Sequence, residues 1–165
     1  MNRDEALVWF DELLPVSVET LIGHWRGGEW PTGHHMDGLL TAYAWHGKSF
    51  LDAENVHPLV FRSWRGARVS LDPRWMPLGL ARFRWLAHHP IMRGVVRGIR
   101  PLLETRAPRA RLRLMAVRGA VTATMIYDHL PICDHFKRID DDRLLGLMDL
   151  RGAPPFFFTL SREGA

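Results

Sequence analysis

The chain has 165 residues, 47% of them hydrophobic and 24% charged, which suits one domain with a sizeable core and excludes a disordered chain. Its one cysteine, Cys133, excludes an internal disulfide, and no run approaches the roughly 18 apolar residues of a membrane-spanning helix. The net charge of +4 is unevenly spread: residues 1–61 carry three basic and nine acidic side chains, residues 62–118 carry fourteen arginines against Asp72 and Glu104, and residues 119–165 carry five basic and seven acidic ones.

Asn2 is placed to cap a first helix, with Glu5 as its capping-box partner, and Leu7, Phe10, Leu13 and Leu14 recur at helical spacing until Pro15. This acidic, amphipathic start lacks the basic region and apolar run of a secretory leader, which with the lone cysteine points to the cytoplasm. Ser17 caps a short second turn. In "LIGHWRGGEW", strict alternation sends Gly23, Trp25 and Gly27 to one face and His24 and Arg26 to the other. Trp25 then stands between two positions without side chains, as in a strand that curls a barrel and closes one end with its ring. "WPTGHHMDG" reads as turn. Asp37 is placed to cap a short helix carrying Leu39, Leu40 and Tyr43, with Gly47 as its stop. "VHPLVFRSW" reads as a strand in which Pro58 marks an edge or bulge. The stretch from Asp72 to Leu103 mixes arginines, large apolar residues and four prolines; Gly94 and Gly98 weaken a helix over Ile91–Leu103. From Arg109 the period becomes two, with Leu112 and Leu114 opposing Arg111 and Arg113, then Val121, Ala123, Met125 and Tyr127 opposing Thr122, Thr124 and Ile126. "CDHFKRI", "RLLGLMDL" and "PFFFTLS" complete five strands at meander spacing.

The most enzyme-like cluster is Tyr127-Asp128-His129 with Asp134-His135 and Lys137. Asp128, His129 and His135 are its acid–base candidates; the alternative is a solvated hairpin turn that Asp128 caps. His57, in an apolar run, is either a haem ligand or a hydrogen-bonded structural histidine. No zinc spacing, phosphate loop or nucleophile elbow occurs, and nothing around Cys133 activates it. The arginine-rich middle reads as a solvated face paired with the acidic N-terminal part, as a contact with anionic membrane, or as a single-stranded nucleic-acid surface. No nucleic-acid-binding fold signature supports the last.

Gly23-His-Trp25-Arg-Gly27 fits the pattern that names the GXWXG domain, and "PTGHHMDGLL", "WHGKSF" and "HPLVF" resemble the rest of it. "RGAVTATMIYDHLPICDHFKRIDD", "LLGLMDLRG" and "PFFFTL" are similar to the uncharacterised domain that commonly follows it in small bacterial proteins. Together these resemblances span roughly residues 15–162 and imply little about activity, because the family is defined by sequence. A looser likeness is to calycin barrels (lipocalins, fatty-acid-binding proteins, nitrobindin-like haem barrels), where the tryptophan packs across the closed end. The Gly-Gly-Glu-Trp that follows here departs from the longer nitrobindin-like pattern.

These observations predict one mainly β domain over 1–165, an antiparallel calycin-like barrel or half-barrel with an N-terminal helix and short capping helices. Within it lie a GXWXG-type region (15–62), an arginine-rich segment (63–108) and a C-terminal β-meander (109–162). The expected function is non-catalytic carriage of a hydrophobic ligand, a lipid or fatty acyl chain with an anionic head. Trp25, Trp45, Phe61, Met125, Tyr127, Phe136, Met148 and Phe157 would line the cavity, and Arg111 and Arg113 would meet the head. A small isomerase- or hydrolase-like enzyme using Asp128, His129 or His135 is the alternative, as is a haem barrel using His57. No metal or other cofactor is expected, and the Arg62–Arg118 segment is the expected site of peripheral contact with an anionic membrane.

Overall fold

The computed structural model describes residues 1–63, 66–75 and 89–164. The Asn2 side chain accepts from Glu5 N–H and the Glu5 side chain from Asn2 N–H, both at 2.9 Å. This capping box starts α1 (Arg3–Glu12), and Ser17 caps α2 (Val18–Leu21) after a two-residue strand β1 (Leu14–Pro15). Then come β2 (Gly23–Glu29), α3 (Leu39–Ala42), β3 (Trp45–Phe50), β4 (Val56–Arg62) and β5 (Arg68–Leu71). The helix α4 (Pro90–Ile99) forms despite its two glycines and runs into a 3-10 turn (Arg100–Leu103) and β6 (Glu104–Thr105). The five predicted C-terminal strands follow as β7 (Ala110–Val117), β8 (Ala120–Tyr127), β9 (Ile132–Arg138), β10 (Arg143–Leu150) and β11 (Phe156–Arg162).

Eight of the strands close an antiparallel barrel in the order β2-β11-β10-β9-β8-β7-β4-β3, with β3 pairing back onto β2. Closure is thinnest between β4 and β7, where only Val56 pairs with Ala110; the far half of β4 pairs with β5 instead. Two local expectations change. Gly47 does not stop a helix but sits inside β3 with φ of +150°, where a Cβ would overlap the backbone carbonyl of Trp25. Asp37 does not cap α3, whose N-cap is Gly38; its carboxylate instead takes the N–H groups of Thr32, Gly33 and His34 at 2.8–3.1 Å. The β3–β4 ladder slips between Gly47↔Val60 and Ser49↔His57, the irregularity that Pro58 predicts.

Alternation fills the barrel with Trp25, Phe50, Leu112, Met125, Phe136, Leu144, Phe158 and Leu160, all buried in one core cluster. Leu114 and Val121, predicted to share the inward faces, are solvent-exposed instead, toward the ends of β7 and β8. The outer face of β10 and β11 carries Leu145, Leu147 and Phe157 into a second cluster with Ala6 and Phe10 of α1. Trp25 closes one end: its indole N–H donates to Leu21 O at 2.7 Å. The Arg162 guanidinium lies 4.3 Å over its ring and bonds the carbonyls of Thr20 and Ile22. At the opposite end Met36 and Leu39 pack onto the same core.

Candidate functional site

One charged pair is buried in this apolar interior. Lys48, from β3, places its ammonium 2.8 Å from Asp134 Oδ2 on β9, with the two side chains 3% and 1% exposed. The ammonium also donates to Pro58 O at 3.3 Å, a carbonyl at the β3–β4 irregularity, and lies 3.5 Å from Tyr127 Oη. Three rings surround it, with centroids 5.0 Å (Phe158), 5.5 Å (Trp45) and 5.7 Å (Tyr127) away, a distance at which ring faces attract cations.

Glycines set the positions of two of these rings. A Cβ at Gly27 would overlap the Trp45 ring, and one at Gly146 would overlap Phe158. The freed space lets Trp45 and Phe158 meet edge to face, 5.8 Å apart at 89°. Phe158 in turn meets Phe136 at 6.1 Å and 83°.

Burial pushes the Asp134 carboxyl above the ordinary range, and Lys48 opposes that push. Burial, with the adjacent Asp134 charge, also raises Tyr127 well above its usual value. The valences are not all filled: Asp134 Oδ1 and the Trp45 indole nitrogen are buried without hydrogen-bond partners. An acceptor left bare in a low-dielectric interior is costly, so this carboxylate is suited to a donor supplied from outside the chain.

Of the residues expected to form the site, Trp45 and Tyr127 belong to this cluster, and Trp25, Met125, Phe136 and Met148 are in the surrounding core. Phe61 is buried beside it, paired across the ladder with Trp45. Phe157 is not in the interior; alternation turns it outward onto Phe10 of α1. Arg111 and Arg113 also point outward, because Leu112 between them takes the inward position. They pair with Asp128 at 4.0 Å and Glu54 at 2.8 Å, too far round the strand to meet a head group inside.

Asp128, His129 and His135 do not converge. Asp128 and His129 are exposed in the β8–β9 turn, whereas His135 is buried on the outer face of β9 with Nδ1 2.8 Å from Thr124 Oγ1. His57 faces outward opposite Ser49 and lines a surface groove with Arg68, Ser70, Glu104 and Thr105, not the barrel interior. Burial lowers its pKa. Among the described residues no cluster of three His, Cys, Asp or Glu side chains could hold a metal ion. The interleaved run Arg82–Trp85 lies outside the described residues.

Sequence reasoning misses Lys48 altogether and passes over Asp134 in favour of its neighbours. The usable signal for Asp134 is alternation: Ile132 and Phe136 face inward, so Asp134 between them must too. For Lys48 it is the lone cation two residues before an inward Phe50 in "WHGKSF".

Comparison with known proteins bears on the same residues. The family described as GXWXG protein matches residues 8–66, and the Domain of unknown function (DUF4334) matches residues 108–162. A solved structure described as a protein from Thermomonospora curvata is 34% identical, with a TM-score of 0.73 over 99% of this chain and 89% of that one. No curated protein matches the chain. The two matched regions build one barrel: β2–β4 come from the first and β7–β11 from the second, and Lys48 and Asp134 meet across that division.

Proposed function

The chain belongs to the GXWXG family, with the Domain of unknown function (DUF4334) completing its barrel, and from that barrel's interior we propose a binding protein for a hydrophobic small molecule whose polar end is read by Asp134, Lys48 and Tyr127. The observation that carries this reading is Asp134 Oδ1, an acceptor buried without a partner, on a carboxylate paired with the ring-surrounded Lys48 ammonium. An apolar body suits the aromatic and aliphatic interior.

The polar end follows from charge. Lys48 and Asp134 neutralise each other, so an anionic head would add a third, uncompensated charge, at a cost of several kcal/mol in a dry interior. With Arg111 and Arg113 facing solvent, no further cation is supplied to it from β7. A neutral hydroxyl or amide N–H donating to Oδ1 satisfies the site; a lipid or fatty acyl chain ending in such a group is the ligand class proposed.

Mass spectrometry of the gently denatured protein should release an apolar molecule of this kind. In calorimetric titrations at pH 8, 1-dodecanol should bind about tenfold or more tightly than dodecanoate, a gap of about 1.4 kcal/mol. Asp134→Asn should erase that preference. Failure of both probes to bind, or equal binding of the two, overturns the reading.

A second reading, a small isomerase-like enzyme, draws on the same residue: a carboxyl raised by burial and flanked by a tyrosine has the character of a proton-transfer group. Asp134 takes that role in place of Asp128, His129 and His135. Turnover of an apolar carbonyl substrate that Asp134→Asn abolishes would establish it.

A further inference from the structure

Outside the barrel, α4 and its 3-10 turn present Ile91, Val95, Ile99 and Leu102 to solvent, 41–83% exposed. Spacings of four residues place the first three on one face of the helix. Trp75, also exposed, follows three residues after Asp72, whose N–H bonds Leu103 O at 2.9 Å, so the ring belongs to the same end of the molecule. A contiguous apolar face of this kind marks a surface that meets something else.

Charge indicates what it meets. From Pro73 to Leu103 the sequence carries six arginines and no aspartate or glutamate; Arg74 pairs with Asp72 just before the stretch, and the sequence of the stretch remains strongly basic. Apolar residues on a helix surface within a strongly basic stretch of sequence is the composition of a segment that lies in the interface of an anionic bilayer. Among the described residues no helix is long and apolar enough to cross a membrane; this one is suited to lying on it.

The face is tied to the barrel next to the site. The Arg100 guanidinium lies 4.6 Å over the Phe61 ring and donates to Arg62 O at 3.0 Å, and Phe61 is the ladder partner of Trp45, which walls Lys48. We propose that α4 and its 3-10 turn form a docking face for an anionic lipid bilayer, holding the Trp45 end of the barrel beside the membrane. This goes beyond the ligand reading, since a barrel that carried nothing would still dock.

Flotation with unilamellar vesicles tests it. The full chain should float with phosphatidylcholine vesicles that contain phosphatidylglycerol, float far less with phosphatidylcholine alone, and be released by high salt. Val95→Glu/Ile99→Glu should weaken binding about tenfold or more, two repulsive charges having replaced two insertions. Both side chains are exposed, so thermal melting should not change; if it does, Ile91→Ser/Leu102→Ser is the substitute pair. Equal binding to neutral vesicles, or unaltered binding by a folded variant, overturns the proposal. So does a concentration-dependent dimer that the same substitutions abolish, or tighter binding to a single-stranded oligonucleotide than to vesicles, either of which assigns the face to another partner.

Discussion

Replacing Lys48 with methionine tests whether the Lys48–Asp134 pair is ionic in the folded chain, and the size of the effect follows from the structure. Methionine keeps the length of the side chain and fits among the rings of Trp45, Tyr127 and Phe158, so packing changes little. What remains is Asp134, about 1% exposed and stripped of its cation. Removing one member of a buried ion pair typically costs about 3–5 kcal/mol. Asp134 has one escape, which is to take up a proton. An unfolded aspartate ionises near 3.8, so holding it neutral costs at most about 1.4 kcal/mol for each pH unit above that value. The ceiling is therefore about 4 kcal/mol at pH 7 and about 1.5–2 kcal/mol at pH 5. The sign is fixed: with its folded pKa raised, the native state holds a proton that the unfolded state has released, so stability falls as pH rises above 3.8 toward the folded value. For a domain of this size the pH 7 loss corresponds to a melting temperature lowered by about 8–16 °C. Urea and thermal unfolding followed by circular dichroism at both pH values measure it. Lys48→Met/Asp134→Leu, which removes both charges, should return to within about 1 kcal/mol of the parent while losing the dodecanol preference. A single variant destabilised equally at pH 5 and pH 7, or a double variant no better than the single one, would refute the reasoning.

The remaining predictions concern the scaffold. Gly146→Ala drives a methyl into a Phe158 ring already held by Trp45 and Phe136 and should cost about 1–3 kcal/mol; Phe158→Leu in the same chain should recover part of it in urea melts. Asp72 is pushed up by burial but pulled down to about 2 by its hydrogen bonds to Arg74 and Arg109. It should therefore contribute up to about 2 kcal/mol above pH 4, less what solvent screening of Arg74 removes, lost as the pH falls toward 2; Asp72→Asn should flatten that acid limb. Trp25→Phe leaves Leu21 O without its 2.7 Å donor and should cost about 1–3 kcal/mol by chemical denaturation. Phe157→Ala should cost about 3–5 kcal/mol by opening the α1 layer yet leave dodecanol affinity unchanged in calorimetry, because its ring faces away from the site.

Much of the barrel was legible because its signals are local. The capping box of α1, the Ser17 cap and the five C-terminal strands rest on signals within a few positions, and all form; the alternation within those strands misplaces only the faces of Leu114, Val121 and Phe157. β3 was not legible, because its strand character depends on a partner. Gly47 breaks the pattern in "WHGKSF", and only the structure shows why: the backbone of Trp25 crosses so closely that no Cβ fits. The sequence pattern does mark Trp25 as the ring that closes one end; the guanidinium of Arg162 that covers it comes from a strand 137 positions later in the sequence, and no spacing rule reaches that far. The candidate site failed in the sequence for a related reason. Asp128, His129 and His135 look like a constellation because they are close in sequence, but a β-hairpin turn exposes the first two and alternation sends the third to the outer face.

The pair that replaces them also joins the two matched regions across the barrel. Neither region can bury its own charge: Lys48 in β3 would keep only the Trp45 ring and no carboxylate, and Asp134 in β9 would have an apolar sheet and the rings of Tyr127 and Phe158 but no cation. The hydrogen-bonded seam that joins them at β4 and β7 is a single residue pair, too short to set register through the backbone alone. β1 adds two pairs with β9, and the longest seam, β11 against β2, spans Phe158↔Glu29 to Arg162↔Trp25 and places Phe158 near the Trp45 that Gly27 accommodates. A slip of one residue in β3 or β9 would turn Lys48 or Asp134 outward and leave the other charge alone in the core. The ion pair thus penalises such one-residue slips by several kcal/mol, and the same pair leaves Asp134 Oδ1 buried without a donor.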